Sequence, residues 1–165
     1  MAKLILSPIQ KKIISLIAKN KNLKEKFYLT GGTALAAYYL RHRYSEDLDF
    51  FSLNQIDILE LDVFLKELKT ILGIKKTDFQ QTFNRNIYFL HTKRGVLKAE
   101  FTYFPFEQIE KPVEKDTIFI DSLTDIAINK VFTIYQNPRA RDFIDLHCIL
   151  SKYKNFSFQK LIKMA

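Results

Sequence analysis

The sequence FYLTGGTALAAYYLRHRYSEDLDFFS, residues 27–52, decides the predicted fold. It begins as a short apolar strand, breaks at Gly31-Gly32, and continues as a helix predicted from Thr33 to Arg41. Because the chain contains only four glycines, an adjacent pair is informative: glycine lets backbone N–H groups turn toward a ligand that a Cβ would keep away. The start of the next helix favours bound anions. We therefore predict a phosphate-binding turn, although a lone Gly-Gly pair is most often only a turn.

The end of this stretch predicts a cation site. Asp47-Leu48-Asp49-Phe50 reads as the start of a strand, so both carboxylates point to one face while Leu48 and Phe50 point into the core. Neighbouring carboxylates repel each other unless a cation lies between them, and paired oxygen ligands suit Mg²⁺ or Mn²⁺. Such a pair alone is usually solvated. Together, the glycines and the carboxylates predict nucleotide-transfer chemistry at one edge of a sheet.

Two motifs in this stretch are GGTAL at residues 31–35 and RYSEDLDF at residues 43–50. They resemble the nucleotidyltransferase family of AbiEii/AbiGii-type toxins, within the DNA polymerase β-like superfamily. The resemblance implies an α/β (α+β) fold with a mixed, mainly antiparallel sheet, flanking helices and a helical C-terminal part. It also implies that Asp47 and Asp49 are catalytic metal ligands. The substrate-binding residues that it implies here are Gly31, Gly32, Thr33, Arg43 and Ser45.

The size and composition of the chain favour one globular domain. A chain of 165 residues with 47% hydrophobic residues can bury a substantial core. We predict a single domain over residues 1–165, with a sheet-containing part to about residue 120 and a helical part from about 121 to 165. The net charge of +8 favours polyanionic partners such as RNA or nucleotides, although solvated lysines on helix faces would give the same balance.

Cysteine usage and hydropathy predict a soluble, cytoplasmic protein. The single cysteine, Cys148, excludes an intramolecular disulfide and fits a reducing compartment; we predict that it lies on a buried helical face. The segment from Met1 to Pro8 lacks the apolar core of a signal peptide, and no stretch approaches the length of a membrane span. No membrane partner is expected.

The remaining sequence alternates helices and strands. Ser7-Pro8 predicts the start of a helix that ends near Ala18, followed by a polar connection over Asn20 to Lys26. The later elements are a helix over residues 58–72, strands over 74–83, 86–92 and 95–104, a loop over 106–115 and a strand over 117–120.

The strand over residues 95–104 carries a third candidate carboxylate. Its alternation places Lys98, Glu100 and Thr102 on one face. In the DNA polymerase β-like superfamily, which this sequence resembles, a carboxylate on a neighbouring strand completes the metal site. The resemblance therefore makes Glu100 a candidate catalytic residue and metal ligand, and Lys98 a candidate substrate-binding residue. The alternative is an exposed glutamate that balances Lys98.

The next helix places a lysine within an apolar stripe. Ser122 is the predicted N-cap, with Asp125 in the capping-box position. Lys130 follows among apolar residues at helical spacing, and it either extends to water or points at the site and neutralises phosphate charge. The helix is predicted to end at Asn137-Pro138.

The sequence RDFIDL at residues 141–146 opens the following helix, where Asp142 can cap the helix and pair with an arginine. The family resembled here has an Asp-Leu-x-x-x-Lys helix followed by Arg-Asp-x-x-Asp-Leu. The resemblance therefore implies catalytic roles for Lys130 and Asp142 and substrate-binding roles for Arg141 and Asp145, although Asp145 alternatively braces the helix.

The resemblance also implies a function. It suggests transfer of a nucleoside monophosphate from an NTP to a hydroxyl of RNA, such as tRNA, by the toxin of an abortive-infection toxin–antitoxin system, with a cognate antitoxin. Two alternatives stay open at this point. One is a nucleotide- or RNA-binding module without catalysis, and the other is a nucleotidyltransferase that acts on small molecules.

Overall fold

A computed structural model describes residues 5–165, and a seven-stranded sheet dominates this part of the chain. The strand order is β3-β4-β5-β2-β1-β7-β6, with β1–β2, β3–β4, β4–β5 and β6–β7 antiparallel and β1–β7 and β2–β5 parallel. The predicted mixed, mainly antiparallel sheet is therefore confirmed. The strands are β1 (Tyr28–Thr30), β2 (Leu48–Ser52), β3 (Lys76–Thr82), β4 (Arg85–Thr92), β5 (Gly95–Tyr103), β6 (Val113–Lys115) and β7 (Ile118–Ile120).

Helices pack on this sheet and form the C-terminal part of the chain, as predicted. They are α1 (Pro8–Lys19), α2 (Lys21–Lys26), α3 (Gly31–Ala34), which continues as a π-helical segment (Leu35–Leu40), α4 (Ile58–Leu72), α5 (Leu123–Gln136), α6 (Ala140–Lys152) and α7 (Phe158–Met164). Ser7 caps α1 through a capping box with Gln10, which confirms the predicted helix start. Residues 1–4 of the segment from Met1 to Pro8, which was predicted to lack a signal peptide, lie outside the described residues.

Several boundaries differ from the sequence expectations. The predicted connection over Asn20 to Lys26 contains α2, because the Asn20 side chain accepts the Leu23 N–H at 3.1 Å and Leu23 is buried. The glycine pair forms the first turn of α3, so the predicted helix begins two residues earlier, at Gly31. The predicted loop over 106–115 ends in β6, because residues 113–115 pair with β7.

Cys148 is half-buried, whereas a buried position was predicted. The buried stripe of α6 follows Asp142, Asp145, Leu146 and Ile149, and Cys148 lies at the edge of that stripe. Two of these four buried residues are carboxylates, which a purely hydrophobic reading of the helix cannot anticipate.

The core lies beneath the centre of the sheet. Leu48 and Phe50 on β2 are fully buried, whereas the residues between and after them are half-buried, which confirms the predicted alternation. The Phe50 ring stacks on that of Phe101 on the adjacent β5, with centroids 5.2 Å apart. Burial of each such side chain stabilises the fold by roughly 1.5–3 kcal/mol.

The sheet register aligns three chain segments at one position. Asp49 on β2 lies opposite Thr30 at the end of β1 and beside Glu100 on β5. Gly31 follows Thr30 directly. The glycine pair, the aspartates and the glutamate therefore lie close together, near the end of β1 in the middle of the strand order. Helices α5 and α6 pack against the π-helical segment and form the opposite wall. In residues 5–165, none of the helices has the length and apolar character needed to cross a bilayer.

Candidate active site

A cavity of about 480 Å³ lies between the sheet and helices α5 and α6. This volume falls within the range of small-molecule sites. Thr33 and Asp145 lie beneath the cavity rather than on its surface. The other predicted site residues all line it: Gly31, Gly32, Arg43, Ser45, Asp47, Asp49, Lys98, Glu100, Lys130, Arg141 and Asp142.

Asp47 and Asp49 both face this cavity. Their side chains are each 25% exposed, so a ligand can reach both carboxylates. Burial raises the pKa of Asp49 above its usual range, and the nearby Glu100 and Asp47 carboxylates raise it further, although Lys98 acts in the opposite direction. The ionised form of Asp49 is therefore disfavoured in this cluster of carboxylates. A cation bound beside Asp49 would stabilise the ionised form.

The first residue of the glycine pair lies against the Asp49 carboxylate, and the second lies against Arg43. Gly31 has a φ of +69°, and a Cβ added there would lie 2.7 Å from Asp49 Oδ2. A Cβ at Gly32 would meet the Arg43 guanidinium and approach Ser45 Oγ to 3.3 Å. Gly31 is therefore favoured for both backbone conformation and space, whereas a side chain at Gly32 would displace the Arg43 guanidinium.

Thr33 connects the glycine turn to the strand that carries the carboxylates. Its hydroxyl lies 2.8 Å from Ser45 Oγ and also donates to the backbone carbonyl of Asp47. Thr33 is buried, so its predicted substrate-binding role would be indirect. Gln10 joins α1 to the loop that precedes β2, because its buried side-chain amide donates to the Ser45 carbonyl at 2.8 Å.

Glu100 on β5 lines the cavity, but both of its carboxylate oxygens contact neighbouring side chains. Arg85 binds it in a bidentate pair at 2.6 and 2.8 Å, Lys98 Nζ lies 2.9 Å away, and the Thr102 hydroxyl donates to it at 2.9 Å. Burial alone would raise the pKa of Glu100, but Arg85 and Lys98 outweigh it and lower the pKa to about 2. The reading of Glu100 as an exposed residue is wrong, since the residue is buried.

Lys98 lies at the centre of the three carboxylates. Its ammonium nitrogen is 3.7 Å from Asp49 Oδ1 and 4.0 Å from Asp47 Oδ2, in addition to its contact with Glu100. Burial acts to lower the pKa of Lys98, but the Asp49 and Glu100 charges outweigh it and raise the pKa. Lys98 therefore stays cationic and partly balances the acidic cluster.

The carboxylates that line the cavity differ in how well they fit a divalent cation. Within the described residues, no group of three His, Cys, Asp or Glu side chains has an arrangement that could hold a metal. The exposed oxygens of Asp47 and Asp49 nevertheless fit Mg²⁺, which commonly takes one or two protein carboxylates and completes its shell with water and substrate phosphates. Glu100 is less suited, because its oxygens already make four contacts with three residues, Arg85, Lys98 and Thr102.

A buried ionic network forms the helical wall. Lys130 Nζ contacts Asp142 Oδ1 at 2.6 Å and Asp145 Oδ2 at 2.8 Å, so the side chain points into the site rather than to water. Arg43 binds both oxygens of Asp145 at 2.6 and 2.8 Å, and His42 adds a contact at 2.7 Å. Burial alone would raise the pKa of Asp145, but Arg43 and Lys130 lower it to about 2.

This network gives Asp142 and Asp145 different positions. Asp142 lines the cavity and also pairs with Arg139 at 3.0 Å, so the predicted arginine pair exists beside the contact with Lys130. Asp145 joins α6 to Arg43 of the loop that precedes β2, which matches the bracing alternative. Arg141 approaches Asp47 Oδ2 at 3.7 Å from the rim of the cavity.

Another buried carboxylate, that of Asp121, contacts the residue that precedes the glycine turn. Asp121 accepts the Thr30 hydroxyl at 2.6 Å, immediately before Gly31. Burial, and then the neighbouring Asp125 charge, raise the pKa of Asp121 to about 7. Ser122 caps α5 as predicted, but the Asp125 carboxylate accepts the backbone N–H groups of residues 109 and 110 instead of completing a capping box.

Sequence reasoning missed several residues that line the cavity. Arg85 lay outside the strand predicted from Asn86, although the β4–β5 register places it beside Thr102. No motif marks the aromatic and amide residues of the lining, which are Phe51, Phe104, Asn129, Phe132 and Gln136.

Comparison with solved structures shows similar folds. The Helicobacter pylori protein JHP933 superposes with a TM-score of 0.70 and 23% identity, over 93% of this chain and 68% of that chain. An H. pylori protein described as a candidate nucleotidyltransferase gives a TM-score of 0.72 and 23% identity, over 94% and 74% of the two chains. The Megavirus polyadenylate synthase gives 0.54 and 19% identity, over 93% of this chain and 34% of that chain.

Comparison of sequences identifies the family. Curated protein sequences give no match. The family model for the nucleotidyl transferase AbiEii toxin of type IV toxin–antitoxin systems matches residues 15–165, which include the glycine pair, the aspartates and the network on α5 and α6. The chain therefore belongs to the AbiEii family of nucleotidyltransferase toxins.

Proposed function

We infer that this protein transfers a nucleoside monophosphate from an NTP to a hydroxyl group of an RNA acceptor and releases pyrophosphate. The observation that carries this inference is the close approach of Gly31 in the glycine turn to Asp49 of the carboxylate pair. Gly31 lies against Asp49, and both line a cavity that also contains Arg43, Lys98 and Lys130. A triphosphate needs such an arrangement of cations and backbone around a metal-binding pair.

Each residue has a distinct task in this proposal. Asp47 and Asp49 would hold Mg²⁺ or Mn²⁺, which would supply Lewis-acid stabilisation of the charge that develops at the α-phosphate. The N–H groups at Gly31 and Gly32 bind phosphate oxygens. Lys98 supplies a fixed positive charge beside the carboxylates.

The helical wall completes the site. Lys130 lines the cavity and remains buried between Asp142 and Asp145, so its charge is held in one place. Asp142, next to Lys130, orients this ammonium group. Preorganised charge of this kind stabilises a transition state without reorganisation at the moment of reaction.

RNA is the acceptor that the charge distribution favours. Six cationic side chains line the cavity, namely Arg43, Arg85, Lys98, Lys130, Arg139 and Arg141. Arg85, Arg139 and Arg141 are about half exposed, so they can contact a polyanion at the rim. We also propose that the protein acts as a toxin in the cytoplasm and that a cognate antitoxin controls it, which its membership of the AbiEii family supports.

The test is transfer from α-labelled NTPs to total RNA, to protein and to small hydroxyl compounds. The wild type and Asp49→Ala are compared in Mg²⁺ and in Mn²⁺. We expect labelled RNA with the wild type and a loss of at least about a hundredfold in the variant.

Transfer to small acceptors alone would replace RNA with a small-molecule substrate. NTP binding without transfer to any acceptor would identify a binding module instead of an enzyme. Both outcomes would contradict the proposed reaction on RNA.

A further inference from the structure

The cavity has an aromatic part that the reaction proposed above does not use. Phe51 and Phe104 line it from the sheet, and Phe132 lines it from α5. Aromatic side chains stack on nucleobases of any sequence because every base has a π-face. The ionic residues and the aromatic residues therefore divide one cavity into two chemically different parts.

Phe51 occupies the side of Asp49 that is opposite to the glycine turn. The two residues are two positions apart on β2, so their side chains share a face and their Cα atoms lie about 7 Å apart. The antiparallel register places Thr30, which precedes Gly31, opposite Asp49, and Tyr28 opposite Phe51. A nucleotide with its β- and γ-phosphates at the glycines and its α-phosphate at Asp49 would extend its ribose and base toward Phe51.

The aromatic rings on the sheet are held in place. The centroids of Phe51 and Phe104 are 4.8 Å apart with the rings tilted by 31°, and Phe106 packs on the outer side of Phe104 at 4.8 Å. The Phe104 N–H donates to the Ser52 carbonyl at 2.8 Å, which fixes the backbone beyond the end of β5. The rings thus form a supported surface rather than mobile side chains.

The helical wall faces this surface with one ring and two amides. Phe132 is 43% exposed and follows Lys130 by two residues. Asn129, Thr133 and Gln136 line the cavity at helical spacing. The Thr133 hydroxyl donates to the Asn129 backbone carbonyl at 2.7 Å. The side-chain amides of Asn129 and Gln136 each carry a donor and an acceptor that can pair with a base edge.

We propose that Phe51, Phe104 and Phe132 form the subsite for the nucleobase of the donor NTP, and that the amides of Asn129 and Gln136 set its preference among bases. This inference rests on the proposed function, because it assumes that the triphosphate lies between the glycine turn and the carboxylate pair.

The test compares two ligands in Mg²⁺: a non-hydrolysable α,β-methylene NTP and inorganic tripolyphosphate, which lacks the base. Dissociation constants are measured for the wild type, Phe132→Ala, Phe104→Ala and the control Phe143→Ala. Phe143 is a suitable control because it is 52% exposed on α6 and does not line the cavity. Thermal unfolding of each variant confirms that it is folded.

We expect Phe132→Ala and Phe104→Ala to weaken NTP binding about tenfold or more and to leave tripolyphosphate binding within about twofold of the wild type. Phe143→Ala should change neither constant. Phe132→Trp should bind the NTP as the wild type does, unlike Phe132→Ala, because tryptophan keeps an aromatic face at this position.

Equal losses for both ligands, or unchanged NTP binding, would overturn the subsite. A rise in the KM for RNA with unchanged NTP binding would assign the rings to an acceptor base and also overturn it. A wild type that binds the NTP through these rings but transfers nothing would contradict the proposed function and leave the subsite intact.

The amides are tested with the four common NTPs. Asn129→Ala and Gln136→Ala should reduce the ratio between the strongest and weakest NTP dissociation constants by about fivefold, with tripolyphosphate unchanged. An unchanged ratio in both variants would remove base selection from these residues.

Discussion

A Cβ at Gly31 would lie 2.7 Å from Oδ2 of Asp49, so the backbone of the glycine turn and the carboxylate of β2 are in direct contact. Two segments separated by a helix and a basic loop thereby form one surface. Thr33 reinforces this surface by bonding to Ser45 and to the Asp47 carbonyl. The proposed phosphate-binding turn and the proposed metal ligands are therefore structurally coupled.

Gly31→Ala should disrupt both halves of the site at once. The added Cβ would clash with Asp49, and a φ of +69° costs alanine about 1–2 kcal/mol. We expect a loss of transfer of at least about tenfold together with about 1–3 kcal/mol of stability. Gly73→Ala is the matched control, since Gly73 also has a positive φ but a Cβ there would meet nothing within 4 Å. Equal activity in the two variants would contradict the account.

Asp49→Asn should separate stability from activity. The raised pKa of Asp49 shows that burial and nearby carboxylates disfavour its charge, so a neutral isostere should increase stability at pH 7 by roughly 0.5–2 kcal/mol without metal. Transfer should be lost. Denaturant unfolding in a chelating buffer checks the first part, with the exposed Glu67→Gln as the control. Destabilisation by Asp49→Asn would show that its charge supports the fold.

Asp145→Ala should destabilise the fold strongly. It would leave Arg43 and Lys130 without their shared buried partner, and loss of one member of a buried ion pair costs about 3–5 kcal/mol. Glu25→Ala should cost less than about 1 kcal/mol, because its pair with Lys21 is exposed. Similar unfolding midpoints for the two variants would remove the structural role assigned to Asp145.

Asp121→Asn should remove part of the pH dependence of stability. The pKa of Asp121 is about 7 in the fold and about 3.9 in the unfolded chain, so the protonated carboxyl stabilises the fold below pH 4 and this stabilisation is lost as pH rises through 7. The free energy of unfolding of the variant should therefore rise relative to that of the wild type as the pH increases from 4 to 7. At pH 8 the variant should be more stable by about 2–4 kcal/mol. Of the groups that face Asp121, the Tyr28 and Tyr39 hydroxyls have pKa values raised by burial, so they titrate far above this range.

Unfolding curves at pH 4, 6 and 8 test this prediction. A constant difference between Asp121→Asn and the wild type would show that Asp121 does not titrate in this interval. Asp145 contributes equally to both proteins, and the stability that it provides is lost mainly below pH 4, because its pKa is lowered to about 2.

The sheet and the acidic pair were predictable because their signals are local. Alternation with a period of two fixes which side of β2 is buried, and it placed Asp47 and Asp49 on one face correctly. A Ser-Pro pair marked α1, and an adjacent glycine pair marked the turn at Gly31. These features depend only on neighbours in sequence.

The partners of the charged residues were not predictable, because they depend on register and packing between distant segments. Arg85 reaches Glu100 only through the alignment of β4 and β5, and this contact leaves Glu100 less suited to a metal than its position on the strand suggested. Lys130 could face water or the site by helical spacing alone. Its ion pairs with Asp142 and Asp145 on α6 hold it towards the site.

The most direct test of the account follows the two ends of the donor triphosphate. The wild-type protein is incubated with RNA and Mg²⁺ and with one NTP labelled either at the α-phosphate or at the γ-phosphate. Nucleotidyl transfer at Asp47 and Asp49 predicts that RNA acquires only the α label and that the γ label leaves in pyrophosphate, with neither change in Asp49→Asn. Transfer of the γ label to RNA, or α labelling that persists in Asp49→Asn, would contradict the central claim.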